Sequence, residues 1–367
     1  MAFGLFKKKN KEVKKDERYQ TLKVKEVIRV AKESVNVVFE QPSGGFDYKP
    51  GQFITLIKEV GGKKIRRAYS LCTTPFIDQD PAVTVKRVPG GLMSNHINDD
   101  FKSGDEIEIM EPMGMFTTTY SESSERHVVF LGGGSGITPL YSIMRSVLLK
   151  EPKSKVSLVY GNRHEEYIIF KDQLEQLKAD HPDRFELVNI LEEDTKGIAA
   201  YVGRPTVEMV GEIVQKLNGD ANTEYFICGP GPMMDILSNG LLAAGVAEAQ
   251  IRMESFEAGK TSPSIIVDKP KEASGAKISE VTVLLEGEEF VLNVPKKETI
   301  LDAALDEDID MPYSCQSGLC TACRAKCIEG EIDQEDAEGL SAKEAEDGYV
   351  LLCVGKPISD KIRVEVG

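Results

Sequence analysis

A chain of 367 residues, 41% of them hydrophobic, with a formal charge of −15, is long enough for two or three domains, each burying its own core. The acidity argues against nucleic acid as a partner. No apolar run reaches the ~20 residues of a membrane helix, and the N-terminus lacks a signal-peptide core, so the expectation is a cytoplasmic protein without an integral membrane segment. Seven cysteines do not read as a disulfide framework, because four of them fall into one metal-ligating pattern.

Residues 1–18 form a basic tail, with Lys7, Lys8, Lys9, Lys11, Lys14 and Lys15 behind Phe3, Leu5 and Phe6. Such a stretch suits weak attraction to an anionic membrane or a solvated tail. The shortness of its apolar part favours the second.

Residues 19–122 read mostly as strands, rich in β-branched residues at 21–30, 35–39, 52–57, 83–88 and 106–110 with turn signals between them. Short strands at this spacing predict a small antiparallel β-barrel. Two motifs inside it carry chemistry. In Arg67-Ala68-Tyr69-Ser70, the guanidinium can hold a phosphate bidentately, the tyrosine offers an aromatic face, and the serine offers a hydroxyl to a flat ring. In Gly90-Gly91-Leu92-Met93-Ser94, glycine lets the backbone approach a pyrophosphate and Ser94 is expected to start a short helix. Taken alone, each also fits an ordinary strand or turn.

Residues 123–256 alternate strand and helix, which predicts an α/β domain with a parallel sheet. A buried strand at 128–131 enters Gly132-Gly133-Gly134-Ser135-Gly136-Ile137-Thr138-Pro139, and a helix follows at 140–149. Glycine amides at a helix N-terminus form an anion site, and proline fits the first turn. Here Pro139 stands where the usual dinucleotide fingerprint has its third glycine. A second strand ends at Gly161-Asn162-Arg163, and a later one enters Cys228-Gly229-Pro230-Gly231. Loops at strand C-termini are where open α/β sheets bind ligands. Cys228 by itself is also consistent with a small buried apolar residue.

Residues 257–276 read as a linker, carrying Gly259, Pro263, Pro270 and Gly275 among Lys, Ser and Glu. In 277–367 a hairpin is expected around Gly287 and a helix at 299–306. Then comes Cys315-Gln316-Ser317-Gly318-Leu319-Cys320-Thr321-Ala322-Cys323, answered by Cys353. The C-x4-C-x2-C run with a distant fourth cysteine is the plant-type [2Fe–2S] pattern. A four-cysteine zinc site more often uses paired C-x2-C hooks. Gly318 is placed where a loop around a cluster requires positive φ. This segment holds 9 Lys/Arg against 21 Asp/Glu. Asp302, Asp306, Glu307, Asp308 and Asp310 precede the cysteine loop, and Glu329, Glu331, Asp333, Glu335 and Asp336 follow it. The expectation is a negative surface that steers an acceptor protein, with salt affecting that encounter more than the internal electron step.

The order of these motifs resembles the ferredoxin–NADP reductase superfamily. With a C-terminal cluster domain, it resembles the oxygenase reductases typified by the phenylacetyl-CoA epoxidase reductase subunit. The resemblance covers nearly the whole chain after the basic tail. It implies FAD, NAD(P)H and a [2Fe–2S] cluster, with the cluster domain a β-grasp ferredoxin. It implies Arg67 on the flavin phosphate, Tyr69 stacked on the isoalloxazine, Ser70 near N5, and Gly91 to Ser94 on the pyrophosphate. Nicotinamide loops map onto Gly134, Gly136 and Thr138 and onto Cys228, Gly229 and Pro230, with Cys228 near the hydride-donating carbon. Glu254-Ser255-Phe256 implies that Phe256 covers the flavin and that Glu254 relays a proton. Arg163 is a candidate for the 2′-phosphate of NADPH, or a solvated loop arginine. The implied activity is an NAD(P)H-dependent reductase feeding a separate acceptor, a non-haem iron oxygenase component. The alternatives are a general reductase for ferredoxin- or flavodoxin-type acceptors and a non-enzymatic iron–sulfur redox sensor.

Overall fold

The computed structural model describes residues 18–256, 278–334 and 337–366. The basic tail up to 17, the expected linker, Glu335 and Asp336 lie outside the described residues. Three sheets of five or six strands follow one another along the chain, and a separate two-stranded sheet accompanies the last.

The first contains β1 (Tyr19–Ala31), β2 (Ser34–Phe39), β3 (Phe53–Val60), β4 (Lys63–Ser70), β5 (Ala82–Lys86) and β6 (Glu106–Met113), with helix α1 (Leu92–Asp99) between the last two. The strands lie in the order β4-β3-β6-β1-β2-β5, and each described pairing is antiparallel. A bridge between Leu71 and Val83 brings the two edges together, so the sheet curls into a barrel. Leu22, Val24, Val37, Ile54, Leu56, Val83, Val85 and Ile109 fill its interior. β4 was not among the expected strands, because its basic run of Lys63, Lys64, Arg66 and Arg67 hides the two-residue alternation. Pairing with β3 from Phe53↔Ser70 to Val60↔Lys63 makes it a strand regardless.

The second sheet contains β7 (His127–Gly133), β8 (Lys155–Asn162), β9 (Phe185–Leu191), β10 (Tyr201–Val202), β11 (Glu224–Cys228) and β12 (Ile251–Glu254). All its strands are parallel, in the order β10-β9-β8-β7-β11-β12. Helices α2 (Ile137–Lys150), α3 (Lys171–Asp180), α4 (Val207–Leu217) and α5 (Gly231–Ala243) make the connections. Apolar side chains pack on both faces of the sheet, with Phe130 and Leu158 on one side and Val129 and Ile227 on the other. This is why the strands read as continuous apolar runs.

The third sheet is mixed. Strands β13 (Ile278–Leu285) and β14 (Glu288–Pro295) form the expected hairpin, with Glu286 (φ 52°) and Gly287 (φ 87°) both left-handed, as a two-residue type I′ turn requires. After α6 (Ile300–Asp306) come β15 (Arg324–Glu329), β16 (Ile332–Asp333), α7 (Ala342–Glu346), β17 (Tyr349–Leu351), β18 (Lys356–Pro357) and β19 (Lys361–Val366). The five-stranded order is β14-β13-β19-β15-β17, with β13 and β19 parallel. Thr299 caps α6, its Oγ1 accepting from Asp302 N at 3.1 Å.

Candidate flavin, nicotinamide and cluster sites

The chemistry gathers where the three sheets meet. Arg67, Tyr69 and Ser70 end β4, and the loop before α1 lies across from them. A cavity of about 360 Å³ is lined by Arg67, Tyr69, Ser70, Gly91, Ser94, Thr138 and Phe256. A second, of about 490 Å³, shares Arg67, Ser70 and Phe256 with the first and continues to Glu254 and Cys315. The two form one groove running from the barrel to the cysteine loop.

Buried oxygens without partners mark this groove as built for a ligand. Ser70 Oγ and Glu254 Oε2 are both buried and unpartnered among the described residues, a costly arrangement unless a bound molecule completes it. Burial, and then the charge of Cys315, pushes the Glu254 carboxyl up to about 8. Arg67 donates to its neighbour's carbonyl, Arg66 O, at 2.7 Å. Tyr69 is half-buried, and burial raises its pKa.

Around α1 the structure corrects one expectation. The helix starts at Leu92 with Gly91 as its N-cap, and Ser94 is its third residue. Ser94 Oγ accepts from Val88 N at 3.1 Å and donates to Gly91 O at 3.3 Å, tying the loop to the helix without capping it. A Cβ at Gly91 would meet Ser94 Oγ at 2.6 Å. Met93 points into the barrel core, whereas Leu92 is exposed.

In the nucleotide domain, Gly134 (φ 51°) opens a single 3₁₀ turn that leads into α2. A Cβ at Gly136 would fall 2.0 Å from Cys228 O, so the loops after β7 and β11 can touch only through glycine. Thr138 Oγ1 donates to Ser135 O at 3.0 Å. Gly229 packs against Gly133, and Pro230 caps α5. Cys228 is in register with Glu254 across β11 and β12, but its side chain is fully buried and lines neither cavity. Burial, and then Glu254, raises the Cys228 thiol well above its ordinary pKa. Phe256, 47% exposed, stands at the groove.

Sequence reasoning missed Lys86, the last residue of β5. It lines the first cavity, and its Nζ lies 3.1 Å from where a Cβ on Gly134 would sit. Burial, and then the charge of exposed Arg163, lowers its pKa. Its only signal was a lysine closing an apolar strand.

The cysteine loop folds as its spacing requires. Gly318 (φ 74°) and also Gln316 (φ 54°) are left-handed. Cys320, Cys323 and Cys353 are buried, and Cys315 is partly so. Sulfur contacts link Cys315 to Cys320 and to Cys353, and Cys353 in turn to Cys323. Hydrogen bonds from Cys320 and Cys353 hold Cys315 as a thiolate, far below an ordinary thiol. The four cysteine sulfurs therefore converge at one place. Ser317 N donates to Cys315 Sγ at 3.5 Å, and Gly339 N bonds Gly318 O.

Fold and site together define a reductase with a flavin-binding barrel, a nicotinamide-dinucleotide domain and an iron–sulfur domain. The chain matches the oxidoreductase FAD-binding domain over residues 21–118, the oxidoreductase NAD-binding domain over 130–239 and the 2Fe-2S iron-sulfur cluster binding domain over 283–357. It is 35% identical to the 3-ketosteroid-9-alpha-monooxygenase ferredoxin reductase component of Rhodococcus rhodochrous, covering 96% of this chain and 99% of that one. It is 33% identical to a subunit of the 1,2-phenylacetyl-CoA epoxidase of Escherichia coli K12, covering 95% and 97%. Phthalate dioxygenase reductase shares the fold, with a TM-score of 0.58, 23% identity and coverage of 95% of this chain and 98% of that one. The chain belongs to the family of these ferredoxin-reductase components, with FAD, NAD and [2Fe–2S] domains on one polypeptide. It is an NAD(P)H-dependent flavin iron–sulfur oxidoreductase.

Proposed function

We propose that this reductase passes electrons from NAD(P)H to a non-haem iron oxygenase component, working in the cytoplasm, through modules at 19–122, 123–256 and 277–367. One observation carries the electron path: a single cavity is lined by Ser70, Glu254, Phe256 and Cys315. When bound, the flavin takes a hydride as an electron pair and yields electrons singly, and the cluster carries them one at a time.

The chain's own residues do the positioning. Arg67 supplies a charge-assisted contact to the flavin phosphate, and the Tyr69 ring offers the isoalloxazine a face. Ser70 Oγ, unpartnered and buried, supplies the hydrogen bond near N5. Gly91, Leu92, Met93 and Ser94 place backbone amides at the start of α1 for the pyrophosphate. Gly134, Gly136 and Thr138, with Gly229 and Pro230, hold the nicotinamide dinucleotide. Cys228 backs the hydride-donating position from within the sheet, and Phe256 shields the ring from water. Glu254, protonated in its buried place, holds a proton at its carboxyl for relay. Arg163 supplies a charge for the 2′-phosphate of NADPH, and Lys86 adds a second positive charge near it. Cys315, Cys320, Cys323 and Cys353 ligate the two irons.

The relatives' names, a reductase component of a ketosteroid monooxygenase and a subunit of an epoxidase, support an oxygenase as acceptor. The test is steady-state turnover of the purified, cofactor-loaded chain with candidate non-haem oxygenases, beside ferricyanide as an acceptor that needs only flavin. Turnover with ferricyanide but with no oxygenase would defeat the acceptor assignment. Ferricyanide inactivity would defeat the flavin assignment.

A further inference from the structure

The acidic run before the cysteine loop does not all face outward. Asp310 Oδ2 lies 2.8 Å from Lys64 Nζ, and its Oδ1 lies 2.8 Å from Arg66 Nη2, so each carboxylate oxygen takes one cation from the barrel. Lys64 and Arg66 share a face of β4 through its two-residue period. The Arg66 side chain is only 4% exposed. Its guanidinium lies 5.7 Å from the Tyr19 ring centroid and 6.0 Å from that of Tyr313, between an aromatic of the barrel and one of the cluster domain. The Thr55 hydroxyl donates to that of Ser314. Phe53, Ile57 and Met110 of the barrel pack with Cys320 and Ala322 beneath these polar contacts.

The order along the chain gives these contacts their meaning. Asp310, Tyr313 and Ser314 lie on the five residues that lead into Cys315, the cysteine lining the cavity beside Ser70 and Glu254. Anchoring that segment on β4 decides how near the first cluster ligand sits to the flavin edge. Electron passage falls steeply with separation, so a loosened anchor costs rate before it costs fold.

We propose that Asp310, with Lys64 and Arg66, is a charged latch that positions the cluster loop against the flavin barrel and sets the rate of flavin-to-cluster electron transfer. The latch rests on the cofactor assignments of the proposed function. It reverses the expectation that salt spares the internal step. Asp310 and Lys64 are half-exposed, and screening reaches such pairs as the Debye length contracts from about 10 Å at 0.1 M to about 3 Å at 1 M. These three are positioning residues, since none touches the reacting atoms.

Rapid mixing of the full-length, cofactor-loaded chain with NAD(P)H separates flavin bleaching from cluster reduction, and small-angle scattering reports domain docking independently of activity. Asp310→Asn should slow cluster reduction roughly tenfold at low salt, as loss of a charge-assisted hydrogen bond implies, and enlarge the radius of gyration. Flavin bleaching should be unchanged. Asp310→Glu should restore most of the rate. Raising salt should slow the unsubstituted chain toward Asp310→Asn, whose own rate stays flat. Cluster reduction as fast and as salt-dependent in Asp310→Asn as in the unsubstituted chain would overturn the latch. A purified chain lacking flavin and iron–sulfur absorbance would overturn the cofactor assignment and the latch with it.

Discussion

Toward the nucleotide domain the barrel presents a buried surface laced with hydrogen bonds, whereas toward the cluster domain it presents a small apolar patch rimmed by charge. On the first side, Ser142 Oγ of α2 donates to Thr73 O at 2.5 Å and Ser146 Oγ to Thr74 Oγ1 at 2.8 Å, with Thr74, Ser142 and Ser146 fully buried. Arg145 clasps Asp78 bidentately at 2.8 and 3.0 Å. Cys72, Ala82 and Phe116 of the barrel side share one core with α2. On the second side, five buried side chains among the described residues form the apolar contact, and Asp310 is 56% exposed. Interfaces that are large and apolar hold domains rigidly, whereas small polar ones permit relative motion. The two crossings differ in the same sense: hydride transfer needs its partners in van der Waals contact, and single-electron transfer does not.

The largest effect should come from removing the second side altogether. Cys323→Ser should abolish cluster assembly and oxygenase reduction while ferricyanide reduction stays within about twofold, as expected if the first interface stands alone. Loss of ferricyanide activity in a variant that remains folded would show that the two sides are not separable.

Ser70 lies where both cavities meet, so Ser70→Ala tests the shared groove. Flavin reduction should slow by roughly 10²-fold or less, the worth of one positioned hydrogen bond, with FAD retained. Arg67→Ala should instead release FAD. Stopped-flow reduction beside a flavin-retention assay distinguishes these phenotypes, and finding them exchanged would reverse the two roles.

The contrast in rigidity predicts unequal stability costs. Asp78→Ala strands a largely buried Arg145 and should cost about 3 kcal/mol, whereas Lys64→Ala, at a half-exposed rim where Asp310 keeps Arg66, should cost about 1 kcal/mol. Chemical denaturation of each variant gives both numbers; equal losses would erase the distinction drawn between the interfaces.

A pH-dependent effect is expected from Glu254. Its folded pKa of about 8 lies above the ordinary 4.5, so the folded state holds the proton more tightly than the unfolded chain does. The stability this contributes is fully present below pH 4.5 and is lost as pH rises through about 8. The unfolding free energy measured across that window should decline with rising pH in the unsubstituted chain and flatten in Glu254→Gln. An unchanged slope would place the ionisation elsewhere.

What the sequence by itself determined is what local chemistry dictates. The C-x4-C-x2-C spacing, Gly318 in a left-handed bend, the glycine loop entering α2 and the turn at Gly287 all act over a few residues, and backbone sterics decide them. The order of the three modules was legible for the same reason, since strand alternation and strand–helix grammar are periodicities of short windows.

Tertiary structure alone decided the rest. Lys86 became part of the groove because β5 closes the barrel beside the loop after β7. Ser94 lost its expected cap role because the chain turned earlier, at Gly91. Asp310 looked like one more solvated charge in an acidic run, yet its cations lie 246 and 244 residues away. No local pattern separates an acid that faces water from one that faces its own barrel. Only folding brings β4 to it, because the free energy of a charge is set by what surrounds it in space.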